Sequence, residues 1–396
     1  MTRRPRFGNA LLALASLAVF LGGAELATRL VDLRPAGGTA LANPPWMGDR
    51  VLLRPDYRDE MAKLGILARY YDLYEWDRFL FYRLRPDVNI ELLDPFAPPG
   101  ALEKSRWSVH TNAQGFRGDA LAARKPAVRV AALGDSSTFG WGVEQFEAYP
   151  GRLAHTLADK LGRPPADVEV LNLGVPGYSS FQGRVLLERT ALGLAPDLVT
   201  WSYLSNDGEM TGESDRAAYA QRVGARGALL AWLHESRAYE TLEAWILVAR
   251  RRLEPPPPLD PTNAAHRNIP SYAVAAGNIR AAVATARGAG IPIVLVGNCT
   301  RAEPAKLMGD VASELGVPHL DATALLDGLL PALATDERYS DQRRAMRARY
   351  GAAELEARPF LLAFLPDHCH PNAFGHRLIA DALTEVVAKA LPTAGR

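Results

Sequence analysis

Cysteine is almost missing from these 396 residues, with only Cys299 and Cys369 present. No Cys-x-x-Cys pair and no Cys/His spacing of a zinc site occurs, so a structural metal domain is not expected. An excess of one charge sign is missing too. The 45 basic and 44 acidic residues leave a formal net charge of +1. A nucleic-acid surface should show a strong basic excess, and none is here. Internal repeats are also absent. What is plentiful is apolar side chain, 48% of the chain, enough for a globular protein with one large core plus additions.

One long uncharged run stands at the N-terminus. Arg3, Arg4 and Arg6 precede 18 residues from Phe7 to Ala24, rich in Leu, Ala, Val and Phe. At 1.5 Å per residue such a helix spans roughly 27 Å, about one bilayer core. The basic flank should stay in the cytoplasm, which puts everything after Glu25 on the periplasmic or extracytoplasmic side. Gly22-Gly23-Ala24 supplies small residues for a signal-peptide cut. The length and the apolar continuation through Leu26-Ala27 favour an uncleaved single-pass anchor instead.

Four segments carry the chemistry. Val128-Arg129-Val130-Ala131-Ala132-Leu133 is an apolar strand running into Gly134-Asp135-Ser136-Ser137-Thr138-Phe139-Gly140, a tight turn of small residues that presents a hydroxyl. Val170 to Ser179 is a second strand, ending at the glycine turn of Gly177. Leu198 to Asp207 is a third, ending in Asn206-Asp207. Asp367-His368-Cys369-His370-Pro371-Asn372 then sets an acid and an imidazole three residues apart. A serine needs a base to take its proton, and the base needs a third group to orient it. Gly-Asp-Ser alone fits an ordinary helix N-cap as well, and Asn-Asp alone an ordinary loop start. The weight comes from all four in order, each at a strand end or a helix start. Asp367, His368, Cys369 and His370 adjoin, but neighbours on an extended loop point different ways and no second ligand group accompanies them. No metal is assigned.

In this order the four segments resemble the blocks of the GDSL-type, or SGNH, hydrolases, over roughly residues 128–391. The resemblance implies Ser136 as nucleophile, with its own N–H in the oxyanion hole. It implies the Gly177 N–H and the Asn206 amide as the other oxyanion donors, His370 as base and Asp367 as its orienting acid. It implies ester hydrolysis without a cofactor. Thr111 to Gly118 looks like a turn often seen before the first strand in membrane-linked members. One departure is visible: Leu204 stands where the family usually has the glycine of Gly-x-Asn-Asp, which puts the shape of the substrate pocket in doubt more than the role of Asn206.

From Val128 onward strand and helix patterns alternate. Strands are predicted at 128–133, 168–173, 197–204, 291–297 and 317–321, and helices at 146–161, 180–193, 271–287, 303–315 and 374–390. The expected fold is α/β: a three-layer α/β/α sandwich on a mostly parallel five-stranded sheet, flavodoxin-like, with an N-terminal transmembrane helix. Ser136, Gly177 and Asn206 fall just past carboxyl ends of strands, where open parallel sheets bind ligands. The domain division is 1–34 anchor, 35–50 Pro/Gly/Ala-rich linker, 51–127 aromatic-rich subdomain, and 128–396 catalytic domain with an insertion at 208–270. The aromatic cluster from Tyr70 to Tyr82 reads either as a glycan-stacking surface or, preferred, as packing onto the main core. The insertion holds a helix pattern over roughly 216–253 and then Pro255 to Pro258. It fits a cap over substrate, a surface hairpin, or a membrane- or partner-facing helix, the last because Trp232, Trp245, Arg250, Arg251 and Arg252 suit a headgroup interface. Arg338, Arg343, Arg344, Arg347 and Arg349 read as a solvated helix face.

Three functions remain open at this point: an esterase for O-acyl groups of an envelope carbohydrate or for a small ester, an O-acyltransferase acting on an exported glycan, and a non-enzymatic glycan-binding or assembly protein. The intact Ser136/Asn206/Asp367/His370 set argues against the third. For Cys299 and Cys369 two readings stand, a bridge closing a loop of about 70 residues or two buried free thiols, and the free thiols are preferred.

Overall fold

In the computed structural model the described residues are 6–31, 33, 73–94, 105–207, 214–253, 272–299 and 302–392. The linker at 35–50, Tyr70 to Asp72 and Pro255 to Pro258 lie outside them. The chain opens with helix α1 (Arg6–Leu30). Two antiparallel ribbons follow, β1 (Tyr74–Asp77) with β2 (Phe81–Leu84) and β3 (Asn89–Leu93) with β4 (Arg106–His110). The sequence pattern had suggested no strands there, because these segments are four or five residues long and too short to display a period.

The parallel-sheet part of the chain starts with β5 (Val128–Gly134), the short helix α2 (Ser136–Phe139) and α3 (Tyr149–Leu161). Next come β6 (Val168–Gly174), α4 (Ser180–Leu186), which runs on through a wider π turn to Ala191, and β7 (Leu198–Ser202). The inserted pattern breaks into three helices, α5 (Asp215–Val223), α6 (Ala225–Leu233) and α7 (Arg237–Leu253). The remainder is α8 (Tyr272–Gly288), β8 (Ile293–Gly297), α9 (Ala302–Leu315), β9 (His319–Asp321), α10 (Ala322–Thr335), α11 (Ser340–Tyr350), α12 (Ala352–Ala357) and α13 (Ala373–Ala390).

The five parallel strands lie in the order β6-β5-β7-β8-β9. Alternate residues of each strand face opposite layers. Ala131, Leu133, Val199, Trp201 and Leu295 pack with Phe181 of α4, Ile279 of α8 and Met308 of α9. Val128, Val130, Leu198, Val294 and Val296 pack with Leu153 of α3, Leu326 of α10 and Ile379 of α13. Both faces are covered, which is why β5, β7 and β8 are buried along their whole length and read as continuous apolar runs. The chain goes from β5 out to β6 and returns past β5 to β7, so the strand order reverses beside β5. A crevice opens at such a reversal, outside the carboxyl ends of the strands.

The aromatic segment packs inward. Tyr74 and Tyr82 are buried, Phe81 stacks on Phe181, and the Tyr82 and Tyr178 hydroxyls donate to Pro176 O and Tyr82 O. From Tyr74 to Tyr82 the cluster seats the N-terminal ribbons on the turn after β6.

Candidate active site

Ser136 is the first residue of α2, directly after β5. Gly134 and Gly174 are paired in the sheet, and a Cβ on either would collide with α2, at 1.9 Å from Thr138 Oγ1 and 2.2 Å from Phe139 N respectively. The two glycines therefore let the short helix sit against the strand ends. Asp135 caps it, accepting from Ser137 N at 2.9 Å.

The Asp/His loop arrives at the same edge. His370 Nε2 lies 2.7 Å from Ser136 Oγ, and His370 Nδ1 is hydrogen-bonded to Asp367 Oδ2. The other Asp367 oxygen accepts from Cys369 N at 3.0 Å and His370 N at 3.1 Å, which fixes the loop on its own acid. Burial lowers the His370 pKa, but the adjacent Asp367 charge and its hydrogen bond outweigh that, and the imidazole ends above its usual 6.5. Burial raises Asp367, and the His370 charge and three hydrogen bonds, from the His370 ring and from Cys369 N and His370 N, hold it below the ordinary carboxylate value. The two shifts describe one ion pair.

The neighbouring histidines do other things. His376 is fully buried, accepts from Tyr149 N at 3.2 Å, and is pushed by burial down to about 3, so it is a neutral core residue. His368 is exposed and stacks on Phe360.

Gly177 has φ +83°, the left-handed conformation that a glycine adopts freely. The N–H groups of Ser136 and Gly177 have no hydrogen-bond partner among the described residues. Asn206 Nδ2 donates to Tyr178 O at 3.0 Å and approaches Asp135 Oδ2 at only 3.5 Å. Its second N–H is thus weakly engaged. Gly177 follows β6 and Asn206 follows β7, so both stand past the carboxyl ends of the two strands that flank β5, whose end carries Ser136. Leu204 has φ +103° and is fully buried. The position does require a left-handed backbone, and the leucine carries that strain.

Several residues escaped the sequence reading. Asp135 holds the site together: besides capping α2 it accepts from the Ser205 hydroxyl, so one carboxylate ties the serine turn to the Asn206 loop. Burial pushes it up to about 6. Its place in Gly-Asp-Ser was the available signal. Asp207 accepts from Ser180 N and Oγ at 2.9 and 2.6 Å, anchoring the Asn206 loop to α4. Arg117, fully buried, donates to the carbonyls of Ser108, Phe139, Gly140 and Val143. Burial lowers its pKa to about 9. Trp141 sits beside His370, ring centroids 6.1 Å apart.

Cys299 and Cys369 form a disulfide, with α-carbons 4.5 Å apart. This corrects the free-thiol reading. Cys299 follows β8, and Cys369 comes to the same carboxyl edge with His370 when His370 reaches Ser136, so the two cysteines share that edge. Asp367, Cys369 and His370 offer ligand atoms within 4.8 Å of one another. The sulfur is in the disulfide and the carboxylate is engaged by the imidazole, so the set does not fit a metal ion.

Residues 132–378 match the profile of the GDSL-like Lipase/Acylhydrolase family. Among solved structures, the chain is similar to a GDSL-like lipase from Bacteroides thetaiotaomicron, at 14% identity and TM-score 0.34, covering 68% of this chain and 94% of that one. It is similar to a catalytic mutant of an acetylxylan esterase from Geobacillus stearothermophilus, at 13% identity and TM-score 0.39, covering 67% and 96%. A lipolytic protein of the G-D-S-L family from Desulfitobacterium hafniense aligns at 14% identity and TM-score 0.35, covering 65% and 99%. No curated protein matches the chain.

Proposed function

The chain belongs to the GDSL-like lipase/acylhydrolase family and is an enzyme acting on ester bonds, and from that premise we propose a serine mechanism with Ser136 as nucleophile, His370 as base and Asp367 as the group that orients it. The observation that carries the reading is the unbroken run of contacts from Asp367 through His370 to the Ser136 oxygen. His370 Nε2 takes the hydroxyl proton as Oγ bonds to the ester carbonyl carbon. The carbonyl electron pair moves onto oxygen, which accepts from the N–H groups of Ser136 and Gly177 and from the Asn206 amide. Each such donor is worth ~3 kcal/mol in the transition state. Collapse expels the alcohol, which leaves with the proton from His370. Water then adds to the acyl-serine, with His370 again as base, and releases the acid.

The substrate class in this reading is an O-acyl ester of an envelope carbohydrate or a small ester. The N-terminal helix supports it. Leu11–Leu30 has mean hydropathy 1.8 and is not buried, and Arg3, Arg4 and Arg6 before it favour an outward-facing catalytic domain. In the same reading residues 1–34 are a retained anchor, 35–50 a tether, 51–127 a subdomain, and 128–396 the catalytic domain interrupted at 208–270. Transfer of the acyl group to a glycan hydroxyl would use the same side chains with the acceptor in place of water.

The test is turnover of short nitrophenyl esters by the full chain in detergent. Ser136→Ala should abolish turnover while the circular dichroism and melting point stay near wild type; a fully active variant would sink the proposal. Adding glycan acceptors and measuring acylated glycan against free acid separates transfer from hydrolysis.

A further inference from the structure

The helices inserted after Asn206-Asp207 carry an apolar face that the other described residues leave open. On α7, Leu242, Trp245, Ile246 and Leu253 are 59, 51, 45 and 82% exposed. Their spacing puts them on one side of the helix. On α6, Leu229 and Trp232 are 56 and 66% exposed. The inner sides have partners. Thr241 and Ala244 are buried. Arg78 donates to the carbonyls of Arg222, Val223 and Gly224 at the α5–α6 junction, and His234 stacks on Trp76 with centroids 4.5 Å apart.

Helix α1 indicates what covers the outer side. The Glu25 carboxylate accepts from Ser236 Oγ at 2.7 Å, Arg237 N at 3.1 Å and Ala238 N at 3.0 Å. It is a helix cap borrowed from another element, since it satisfies the open N–H groups at the start of α7 and meets the positive end of its dipole. Arg29 donates to Glu235 O, and Trp245 Nε1 donates to Leu33 O at 2.9 Å. So α7 lies alongside the last turns of α1, and its start is pinned at Glu25. Glu25 is also the first charged residue after the uncharged run from Phe7, the point where that run would leave a bilayer. The headgroup layer adds roughly 6 Å beyond each side of the apolar core, and α7 rises about 14 Å between Arg237 and Ile246. The α6–α7 corner and the first turns of α7 are therefore within reach of the outer headgroups.

We propose that the α6–α7 corner, with Leu229 and Trp232 of α6 and Leu242 in the first turns of α7, seats on the same phospholipid bilayer that holds α1, with Trp232 in the headgroup layer. Indole suits that layer because its body is apolar and its N–H polar. A second soluble copy is disfavoured because the face is continuous with α1, whose residues 11–23 are exposed and themselves need lipid. The seat would hold the crevice at a set height over the membrane, because Asp215 of α5 accepts from Ser179 Oγ, two residues after Gly177.

The proposal rests on the anchor reading, and the experiment separates the two. The full chain is reconstituted into phosphatidylcholine/phosphatidylglycerol vesicles, with or without bromine on the acyl chains. Bromolipid should quench part of the tryptophan emission, and the quenched part should fall by about half or more in the Trp232→Phe variant. An unchanged quenched fraction overturns the proposal, as does a stable dimer in detergent with no quenching. A carbonate wash of the same vesicles tests the anchor. Retention with unchanged quenching defeats only the lipid seat, and release into the wash defeats the anchor and the seat with it.

Discussion

Ser136 and Ser137 are adjacent and have opposite surroundings. Ser136 meets the imidazole, while Ser137 is fully buried and its hydroxyl has no partner among the described residues. Ser137→Ala should therefore keep ester turnover within about threefold of wild type, an effect below ~0.7 kcal/mol. Asn206→Ala should lower kcat about 100-fold with little change in KM, as expected of an oxyanion donor; a rise in KM alone would remove Asn206 from that role. The pH profile follows from His370. The base must be neutral to accept the proton, and its pKa lies above 6.5 because of Asp367. The acid limb of kcat/KM is thus expected above pH 6.5, with activity lost as pH falls through it. In Asp367→Asn the limb should move to lower pH and kcat should drop, since burial is then opposed only by the charges of Asp135 and Asp94; an unmoved limb would deny Asp367 its part. At Leu204 two effects compete. Glycine would relieve a left-handed leucine worth about 1–3 kcal/mol, but it would empty a fully buried site at about 2–5 kcal/mol. The cavity wins, so Leu204→Gly should lower the melting point.

Among elements, the loop of Asp367 and His370 matters most to the proposed mechanism, because one disulfide joins it to the residue after β8. Cys299 and Cys369 are 70 residues apart in sequence. By the chain-entropy treatment a crosslink of that length stabilises by about 4 kcal/mol. The Cys299→Ser/Cys369→Ser variant should unfold at clearly lower denaturant, and reduction of the wild type should reproduce the change. Because Cys369 stands between Asp367 and His370, kcat should also fall, by about tenfold for a positioning loss of ~1.4 kcal/mol. Equal stability with and without reductant would argue against the bond. The turn after α2 depends similarly on Arg117. Its guanidinium bonds four carbonyls in a buried setting. Arg117→Ala should cost about 3–5 kcal/mol in urea unfolding, as for removal of one partner from a buried charged network.

For the whole molecule, three parts are linked in series. Helix α1 is tied to α7 by Glu25, the α5–α6 junction is tied to the β1–β2 ribbon by Arg78, and that ribbon is tied to the turn of Gly177 by Tyr82 and Tyr178. The N-terminal region is thereby part of the scaffold of the crevice. Deleting residues 1–33 should release the chain from membranes and also lower the melting point, because α7 loses its cap and Trp245 its acceptor. A truncated chain with unchanged melting would show that α1 acts as a tether alone.

The sheet, its helices and the Ser136/Asp367/His370 set were legible in the sequence, for a local reason. A strand buried on both faces is apolar throughout, a helix alternates, and the turns at the carboxyl ends need glycine, serine and asparagine whatever lies elsewhere in the chain. The five predicted helices end within about three residues of the observed ones, counting the π turn after α4, but α10, which packs Leu326 under the sheet, was not among them. The short ribbons before residue 111 carried no period to read, and the break of the inserted pattern at Gly224 turns on a cap rather than on hydrophobic spacing. Tertiary structure alone decided everything that depends on which distant groups meet. Asp135 spans two loops 70 residues apart. Arg117 finds its four carbonyls, and Glu25 caps a helix more than 200 residues away. The two cysteines become one bond. Each of these joins backbone or side-chain groups whose own neighbours in sequence say nothing of the partner, because burial and proximity are properties of the folded arrangement and not of the local pattern.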